Sequence, residues 1–227
     1  MGDVVTHCMA GHTAGVTAIA LRVGDDMQQL CSTSIDKTVR IWRVDAAAAD
    51  RPCTHVLQGH MLIVGACVGV PGGFLTGGYE ATIRLWDTVE PKDAAATALP
   101  GPVREDTAYI TALRHHRRPI LCMERHGDLV FTGSHDCRVC VWQTPRTGDP
   151  QPPPLPDGAV DPALLMCIEN AHEGGVSALA FRDGRLYTGA WDKEIRVWEP
   201  PALPTLIPAT APSGEEGGGD GAIEGDH

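Results

Sequence analysis

Basic residues are scarce in this sequence. Its 227 residues include 18 lysines and arginines against 29 aspartates and glutamates, for a formal net charge of −11. An acidic surface repels phosphate backbones, which argues against non-specific nucleic-acid binding. The one basic cluster, Arg114 to Arg118, is too short to change that expectation. Five of the acidic residues lie in segment 200–227, which contains no lysine or arginine.

Long apolar runs and a dense cysteine framework are also missing. No stretch has the length and apolarity of a membrane span, and the first residues lack the features of a secretory signal. The eight cysteines are scattered through apolar segments, and a chain of this length buries a core without disulfide staples. We therefore expect no membrane association and a reduced compartment, the cytoplasm or the nucleus.

Four internal repeats are present, each closing on a tryptophan. An acidic residue stands six positions before each tryptophan, a hydroxyl residue four positions before each acid, and a histidine further upstream. The four sets, in chain order, are His12, Ser32, Asp36 and Trp42; His60, Thr76, Glu80 and Trp86; His116, Thr132, Asp136 and Trp142; His172, Thr188, Asp192 and Trp198. Four residue types at matched offsets in four segments indicate a repeat architecture.

The local pattern within each repeat predicts short strands. Segments such as 38–42 alternate, which places Val39 and Ile41 on one side of the pleat and Trp42 on the other. Each repeat is interpreted as four short antiparallel strands, the first preceding the histidine. The repeats span about residues 3–42, 51–86, 107–142 and 163–198 of a domain over 1–199. Segments 88–106 and 145–162 are interpreted as loops, and the Gly- and Pro-rich segment 200–227 as a disordered tail.

At these residues the sequence resembles the WD-repeat family of β-propellers. Gly11-His12 and Gly59-His60 match the family's Gly-His opening, and Trp86-Asp87 matches its Trp-Asp close. The resemblance implies an all-β propeller of four blades and a hydrogen-bond chain of Trp, Ser/Thr, His and Asp in each blade. Glu80 departs from the family pattern by one methylene, and His116 competes with the adjacent His115. The networks of the second and third repeats are therefore expected to be the weakest.

The residue pattern also suggests a hydrolase triad and a zinc site, and the spacing favours neither. Ser, His and Asp recur as in a hydrolase triad, but a nucleophile's site occurs once in an enzyme and not once in every repeat. Cys137 and Cys140 stand three apart, so on an extended strand they face opposite sides and form a poor zinc pair. We predict no catalytic residue, no metal site and no cofactor.

Four repeats do not decide whether the propeller closes into a ring. The phase of the repeats predicts that the segment Val4 to Ala10 completes the last blade and clasps a small ring. The alternative is an open arc that is finished by a second copy or by a partner. The blade sequences look like those of seven-blade rings, which favours the arc. An arc exposes strand edges and apolar blade faces, so association is expected.

The resemblance also implies a binding surface, usually called the top face. The residue before each acid should project from it, and residues after the histidines should supplement it; these residues are Ile35, Tyr79, His135 and Trp191, with Met61, Leu62, Arg117, Arg118 and Glu173. Trp191 is an extra tryptophan beyond the four in the repeats, and tryptophan and tyrosine are enriched among interface anchors. The alternative for Trp191 is that it folds onto its own blade and shields an edge.

The function expected from this resemblance is a non-enzymatic scaffold or adaptor that binds other proteins. Two narrower roles are a substrate receptor of a ubiquitin ligase and a subunit of an RNA-processing complex. The first lacks the arginine that often follows the Trp-Asp pair by two residues, since Thr88 and Val89 follow Asp87. The second would require a more basic rim. The Pro-rich stretch 150–156 is either a stiff spacer or itself a polyproline ligand.

Overall fold

Four small β-sheets form the described part of the chain. The structure is a computed structural model that describes residues 8–23, 28–44, 53–88, 104–106, 111–144, 161 and 163–199. These residues form sixteen strands and no helix. Blade 1 contains β1 (Val16–Val23), β2 (Gln28–Ser34), β3 (Val39–Arg43) and β4 (Cys53–Leu57). Blade 2 contains β5 (Val64–Val70), β6 (Gly73–Gly78), β7 (Thr82–Asp87) and, after β8 (Arg104–Asp106), β9 (Thr111–Arg114). Blade 3 contains β10 (Ile120–His126), β11 (Leu129–Ser134), β12 (Val139–Gln143) and β13 (Leu164–Ile168). Blade 4 contains β14 (Val176–Arg182), β15 (Arg185–Ala190) and β16 (Ile195–Trp198).

The sequence repeats and the blades are out of phase by one strand. The predicted strands before His60, His116 and His172 are β4, β9 and β13, and each pairs with the third strand of the preceding blade. The second, third and fourth repeats therefore each supply the outer strand of one blade and the three inner strands of the next. This phase links neighbouring blades through the chain itself.

Segment 88–106 departs from the prediction of a loop. Its last three residues form β8, which pairs in parallel with the outer strand β4 of blade 1. An outer strand leaves a row of backbone N–H and C=O groups unpaired, and an extended segment satisfies them whatever its side chains. For this reason the Ala- and Pro-rich composition of the segment did not reveal the strand.

The blades stack through their two faces, which bury the alternating side chains. We call the side of a blade that packs on the next blade its forward face, and the opposite side its rear face. Val39 and Ile41 lie fully buried on the forward face of blade 1, where they meet Val64, Phe74 and Trp86 on the rear face of blade 2. The predicted alternation of the third strand is thus confirmed, and it supplies apolar side chains to both neighbours.

The stack is an open arc in the described part of the chain. The innermost strands pack β1 on β5, β5 on β10 and β10 on β14, and among the described residues no packing of that extent joins β14 back to β1. The end faces are accordingly exposed: Val16, Ile19 and Leu21 on the rear of blade 1 are 56%, 66% and 54% accessible. On the forward side of blade 4, Ile195 and Val197 are 79% and 51% accessible.

Several predicted features fall outside the described residues. Most of the predicted clasp strand does so; of that segment only Cys8 to Ala10 are described, and they have no regular secondary structure. The Pro-rich stretch and the predicted tail 200–227 lie wholly outside the described part. Within the described part, no helix is long and apolar enough to cross a membrane.

Candidate functional site

Each blade contains a hydrogen-bond chain that starts at its tryptophan. In blade 3, Nε1 of Trp142 donates to Oγ1 of Thr132 over 2.8 Å, and Nε2 of His116 lies 2.8 Å from the same oxygen. Nδ1 of His116 is 3.0 Å from a carboxylate oxygen of Asp136. The other three blades repeat these contacts, with histidine-to-hydroxyl distances of 2.7 Å in each.

One proton arrangement satisfies every member of the chain. An indole N–H only donates and a carboxylate only accepts, so the hydroxyl accepts from tryptophan and donates to Nε2 of a neutral histidine. The remaining ring proton, on Nδ1, is donated to the acid. Such a chain stabilises a blade because each of its buried polar groups has a partner.

The acid at the end of the chain fastens the loop before each blade to the turn between its second and third strands. In blade 3, Asp136 accepts the backbone N–H of Arg117 at 2.9 Å and that of Arg138 at 3.1 Å. In blade 4, Asp192 accepts the N–H of Glu173 at 3.0 Å. We call the rim that carries these four turns and loops the top face.

The hydrogen bonds hold the acids ionised. Burial raises the pKa of Asp136, but the hydrogen bonds from His116 and from backbone N–H groups outweigh burial and lower the pKa to about 2. In blade 2, burial likewise raises the pKa of Glu80, and the hydrogen bond from His60 together with other donors lowers it to about 2.

Both networks expected to be weakest are complete. Glu80 bonds to Nδ1 of His60 and also accepts the hydroxyl of Thr82 at 3.0 Å. The longer glutamate accepts the backbone N–H of Leu62, over 3.3 Å, where the shorter aspartates reach the residue directly after the histidine. His116 bonds to Asp136 as its counterparts in the other blades bond to their acids, and Nε2 of the adjacent His115 has no hydrogen-bond partner. The prediction of weak second and third networks is not supported by this geometry.

The same geometry does not fit a hydrolase triad. The hydroxyls of Ser32, Thr76, Thr132 and Thr188 belong to residues that are at most 4% accessible. Each already accepts an indole N–H, so none faces a cleft where a substrate carbonyl could approach.

The residue before each acid lies on the top face, held there by its own backbone. The N–H of Trp191 donates to the carbonyl of Gly175 at 3.0 Å, and that of His135 to the carbonyl of Pro119 at 2.9 Å. Ile35 and Tyr79 make the same bond in blades 1 and 2. The side chains differ in exposure: Ile35 and Trp191 are exposed, whereas Tyr79 and His135 are half-buried.

Five of the nine predicted binding residues meet in one cleft between blades 3 and 4. The cleft is open, has a volume of about 540 Å³ and is lined by Arg117, Arg118, His135, Glu173 and Trp191, among others. The other four, Ile35, Met61, Leu62 and Tyr79, lie on turns and loops of blades 1 and 2 and do not line this cleft.

Trp191 occupies the boundary between two blades. Its ring meets that of His135 edge to face, with centroids 5.1 Å apart, and the side chain is still 59% accessible. Nη1 of Arg118 lies 3.5 Å from Nδ1 of His135. An added Cβ at Gly174 would lie 2.7 Å from the backbone nitrogen of Asp192, so the close approach of loop and turn requires glycine.

One cluster of potential metal-ligating side chains was not predicted from the sequence. In blade 3, the ligand atoms of His115, Cys140 and Cys167 lie within 4.8 Å of one another. Cys137, which stands three residues before Cys140, is not part of this cluster. An alignment of the four repeats could have revealed the cluster, because His115 and Cys140 stand at positions where the other three repeats have different residue types.

The stacked blades of three or four described strands and the repeated buried hydrogen-bond chain define a β-propeller fold. The family model of the WD domain, G-beta repeat, matches residues 3–43, 51–87, 108–143 and 165–199. These matches cover more than half of the sequence, and the chain belongs to the WD-repeat family. The resemblance stated from the repeats is thereby confirmed.

Individual relatives share the repeats over part of their length. The guanine nucleotide-binding protein subunit beta of Oryza sativa subsp. japonica is 28% identical over 83% of this chain and 45% of its own length. WD repeat-containing protein pop2 of Schizosaccharomyces pombe is 26% identical over 62% of this chain and 22% of its own. Pre-mRNA-processing factor 17 of Mus musculus is 25% identical over 85% and 28%. The chain thus spans less than half the length of these relatives.

A solved structure supports the fold. The computationally designed Ika4 protein superposes with a TM-score of 0.58 and 21% sequence identity, over 88% of this chain and 99% of that one.

Proposed function

We propose that this protein is a non-enzymatic scaffold that binds other proteins on its top face, with Trp191 as the principal anchor. The observation that carries the proposal is a large apolar side chain that is 59% accessible although its backbone and its ring are both held in place. An exposed aromatic side chain that is already ordered loses little conformational entropy on binding, as is typical of interface anchors.

The charge around Trp191 indicates the chemistry of the partner. Arg117 and Arg118 are exposed and line the same cleft in an acidic protein, and Glu173, in the loop before blade 4, lines it as well. A partner segment that places an apolar side chain against Trp191 and a carboxylate near the two arginines would be complementary to this cleft. We propose an acidic peptide or loop as the occupant.

Replacing Trp191 by alanine should weaken such a partner by about 2 kcal/mol or more, which is roughly a 30-fold loss of affinity. Partners are first captured with the wild-type chain and identified by mass spectrometry, and their dissociation constants are then measured by calorimetry. Leu165→Ala is the matched control, because Leu165 is 43% accessible on the outer strand of blade 3. Equal affinities for wild type and W191A would overturn the role of the anchor.

We also propose that the exposed ends of the arc bind a second copy of the chain. Ile195 and Val197 occupy the positions of Val139 and Val141 of blade 3, which are buried against blade 4. At the other end, Val16 and Ile19 occupy the positions of Val64 and Cys67, which are buried against blade 1. The two end faces therefore repeat the two halves of the internal blade interface.

Two copies related by a twofold axis would bury both pairs of end faces at once. The result is a ring of eight blades, at the upper end of the four to eight with which propellers typically close. The wild-type chain should therefore have twice its mass of 24.1 kDa in light scattering. A charge at Ile195, which is exposed in the single chain, should leave the blades folded and produce a monomer.

Light scattering of wild type, I195K and the top-face variant W191A tests this assembly. We expect I195K alone to be monomeric at tens of micromolar, with an unchanged circular dichroism spectrum. A monomeric wild type, or a polymer of undefined length, would contradict the eight-blade ring and leave the top-face proposal standing.

The location of the protein in the cell is also a proposal. All eight cysteines are free thiols, which supports a reduced location in the cytoplasm or the nucleus. The roles of ubiquitin-ligase receptor and RNA-processing subunit stay predictions.

A further inference from the structure

Three potential metal ligands converge in the outer half of blade 3. Cys140 on β12 and Cys167 on β13 are register partners, and their sulfur atoms are 3.2 Å apart. His115, in the loop before β10, brings a ring nitrogen to within 4.8 Å of both sulfur atoms. Nε2 of His115 is buried and has no hydrogen-bond partner.

The other blades show that this cluster is peculiar to the third repeat. His115 precedes the network histidine, a position held in the other repeats by Gly11, Gly59 and Ala171. Cys140 stands two residues before the network tryptophan, a position held elsewhere by Arg40, Arg84 and Arg196. Cys167 is the cross-strand partner of that position, held in blades 1 and 2 by Val56 and Ala112.

The positions of His115 and Cys140 are neighbours in space in blades 1 and 4 too. In blade 1 an added Cβ at Gly11 would lie 2.6 Å from Nη1 of Arg40, so the arginine fills the space in front of the glycine. Replacing that arginine by Cys140 opens the space, and His115 enters it. An apolar side chain would fill this space without burying an unpaired nitrogen, which is unfavourable.

We propose that His115, Cys140 and Cys167 bind a zinc ion, with water at the fourth position. Two thiolates and one imidazole form a donor set that suits Zn²⁺, which takes Cys sulfur at about 2.3 Å and His nitrogen at about 2.0–2.1 Å. Binding releases the proton of each thiol to solvent, since the thiolate is the ligand. Glu169 is held by Arg138, whose Nη2 lies 2.7 Å from its carboxylate, so that acid is already engaged.

The consequence of zinc binding is a link between three separate segments of blade 3. The ion would join the loop before β10 to the third strand and to the outer strand, which is contributed by the fourth repeat. Two pairwise contacts already connect these segments, the ion pair of Arg138 with Glu169 and the contact of His116 with Asp136, and the ion would add one link that holds all three. The proposal is independent of the top-face and ring proposals, because none of the three ligands lines the cleft or an end face.

Cobalt substitution in the full chain tests the site directly. The reduced, metal-free protein is titrated with Co²⁺ and then with Zn²⁺. We expect one equivalent of cobalt to produce a thiolate-to-cobalt charge-transfer band with the visible bands of a tetrahedral site, and zinc to remove both. Cys140→Ser and Cys167→Ser should abolish the charge-transfer band when combined, and His115→Ala should weaken cobalt binding at least tenfold.

Cys137→Ser is the matched control, since Cys137 is a neighbouring cysteine outside the cluster, and it should retain the full spectrum. Circular dichroism of each metal-free variant shows whether the blades are still formed. Absence of a thiolate band in folded wild type would overturn the proposal, as would a band that survives in the double cysteine variant. Formation of a Cys140–Cys167 disulfide in air by a protein that binds no metal would also overturn it and assign the pair to thiol oxidation.

Discussion

Replacing Trp142 by alanine should lower the free energy of unfolding by about 3–5 kcal/mol, the range for large-to-small changes at fully buried aromatic positions. Trp142 is 0% accessible and packs in the core cluster between blades 2 and 3, with Leu75, Leu85 and Ile120. Its removal leaves a cavity and also deprives Thr132 of the indole N–H that starts the hydrogen-bond chain. Urea denaturation followed by circular dichroism measures the loss.

The fourth repeat offers the internal control. Trp198 occupies the equivalent position and donates to Thr188 over 3.0 Å, but it is only half-buried. Because the cavity contribution grows with the volume that the surroundings cannot refill, Trp198→Ala should cost clearly less than Trp142→Ala. Equal losses, or a W142A variant that unfolds at the wild-type urea concentration, would contradict the role given to the buried indole.

The second large effect is loss of stability in acid. The pKa values of Glu80 and Asp136 are lowered to about 2, against the opposing effect of burial, by their histidine and backbone donors. The pKa values of Asp36 and Asp192 are lowered by the same kinds of hydrogen bond, again against burial. A group whose pKa is lower in the folded state adds stability above its unfolded pKa, and the stability is lost as the pH falls towards the folded value.

The stability of the propeller should therefore fall between about pH 5 and pH 2. One unit of pKa corresponds to about 1.4 kcal/mol, so the lowered pKa values of Glu80 and Asp136, discounted for solvent screening, together contribute on the order of a few kcal/mol. Burial also lowers the pKa of His60, and a buried neutral histidine loses stability in the same direction as the pH falls. Since domains are stable by only about 5–15 kcal/mol in total, we expect cooperative unfolding before pH 2.

Calorimetric melting temperatures from pH 7 to pH 3 test this expectation. Glu80→Gln should be less stable than wild type at pH 7 and should show a flatter dependence on pH, because one of the titrating groups is gone. Glu199→Gln is the control, since Glu199 is exposed and forms a surface ion pair with Arg185; its curve should follow wild type. A wild-type melting temperature that is constant from pH 6 to pH 3 would contradict the contribution of the ionised acids.

The repeats predicted most of the residues of the hydrogen-bond chains, because each chain requires particular residue types at fixed offsets. The resemblance to the family implied the partners of Trp142 and His116, and the structure shows both contacts within one repeat. The cleft could be predicted only in part. Trp191 was singled out by its position, but its contact with His135 joins two repeats and depends on how blades 3 and 4 pack.

The strands and their faces could be predicted from the amino-acid sequence, because alternation and turns are local properties that recur in all four repeats, and the resemblance to the family supplied the blade networks. Closure of the arc, the residues that share a cleft and the side chains that meet in blade 3 could be established only from the folded structure. These depend on the angle between stacked sheets and on contacts between distant repeats. The strand β8 (Arg104–Asp106) belongs with them, since an open sheet edge recruited it through backbone groups that every residue carries.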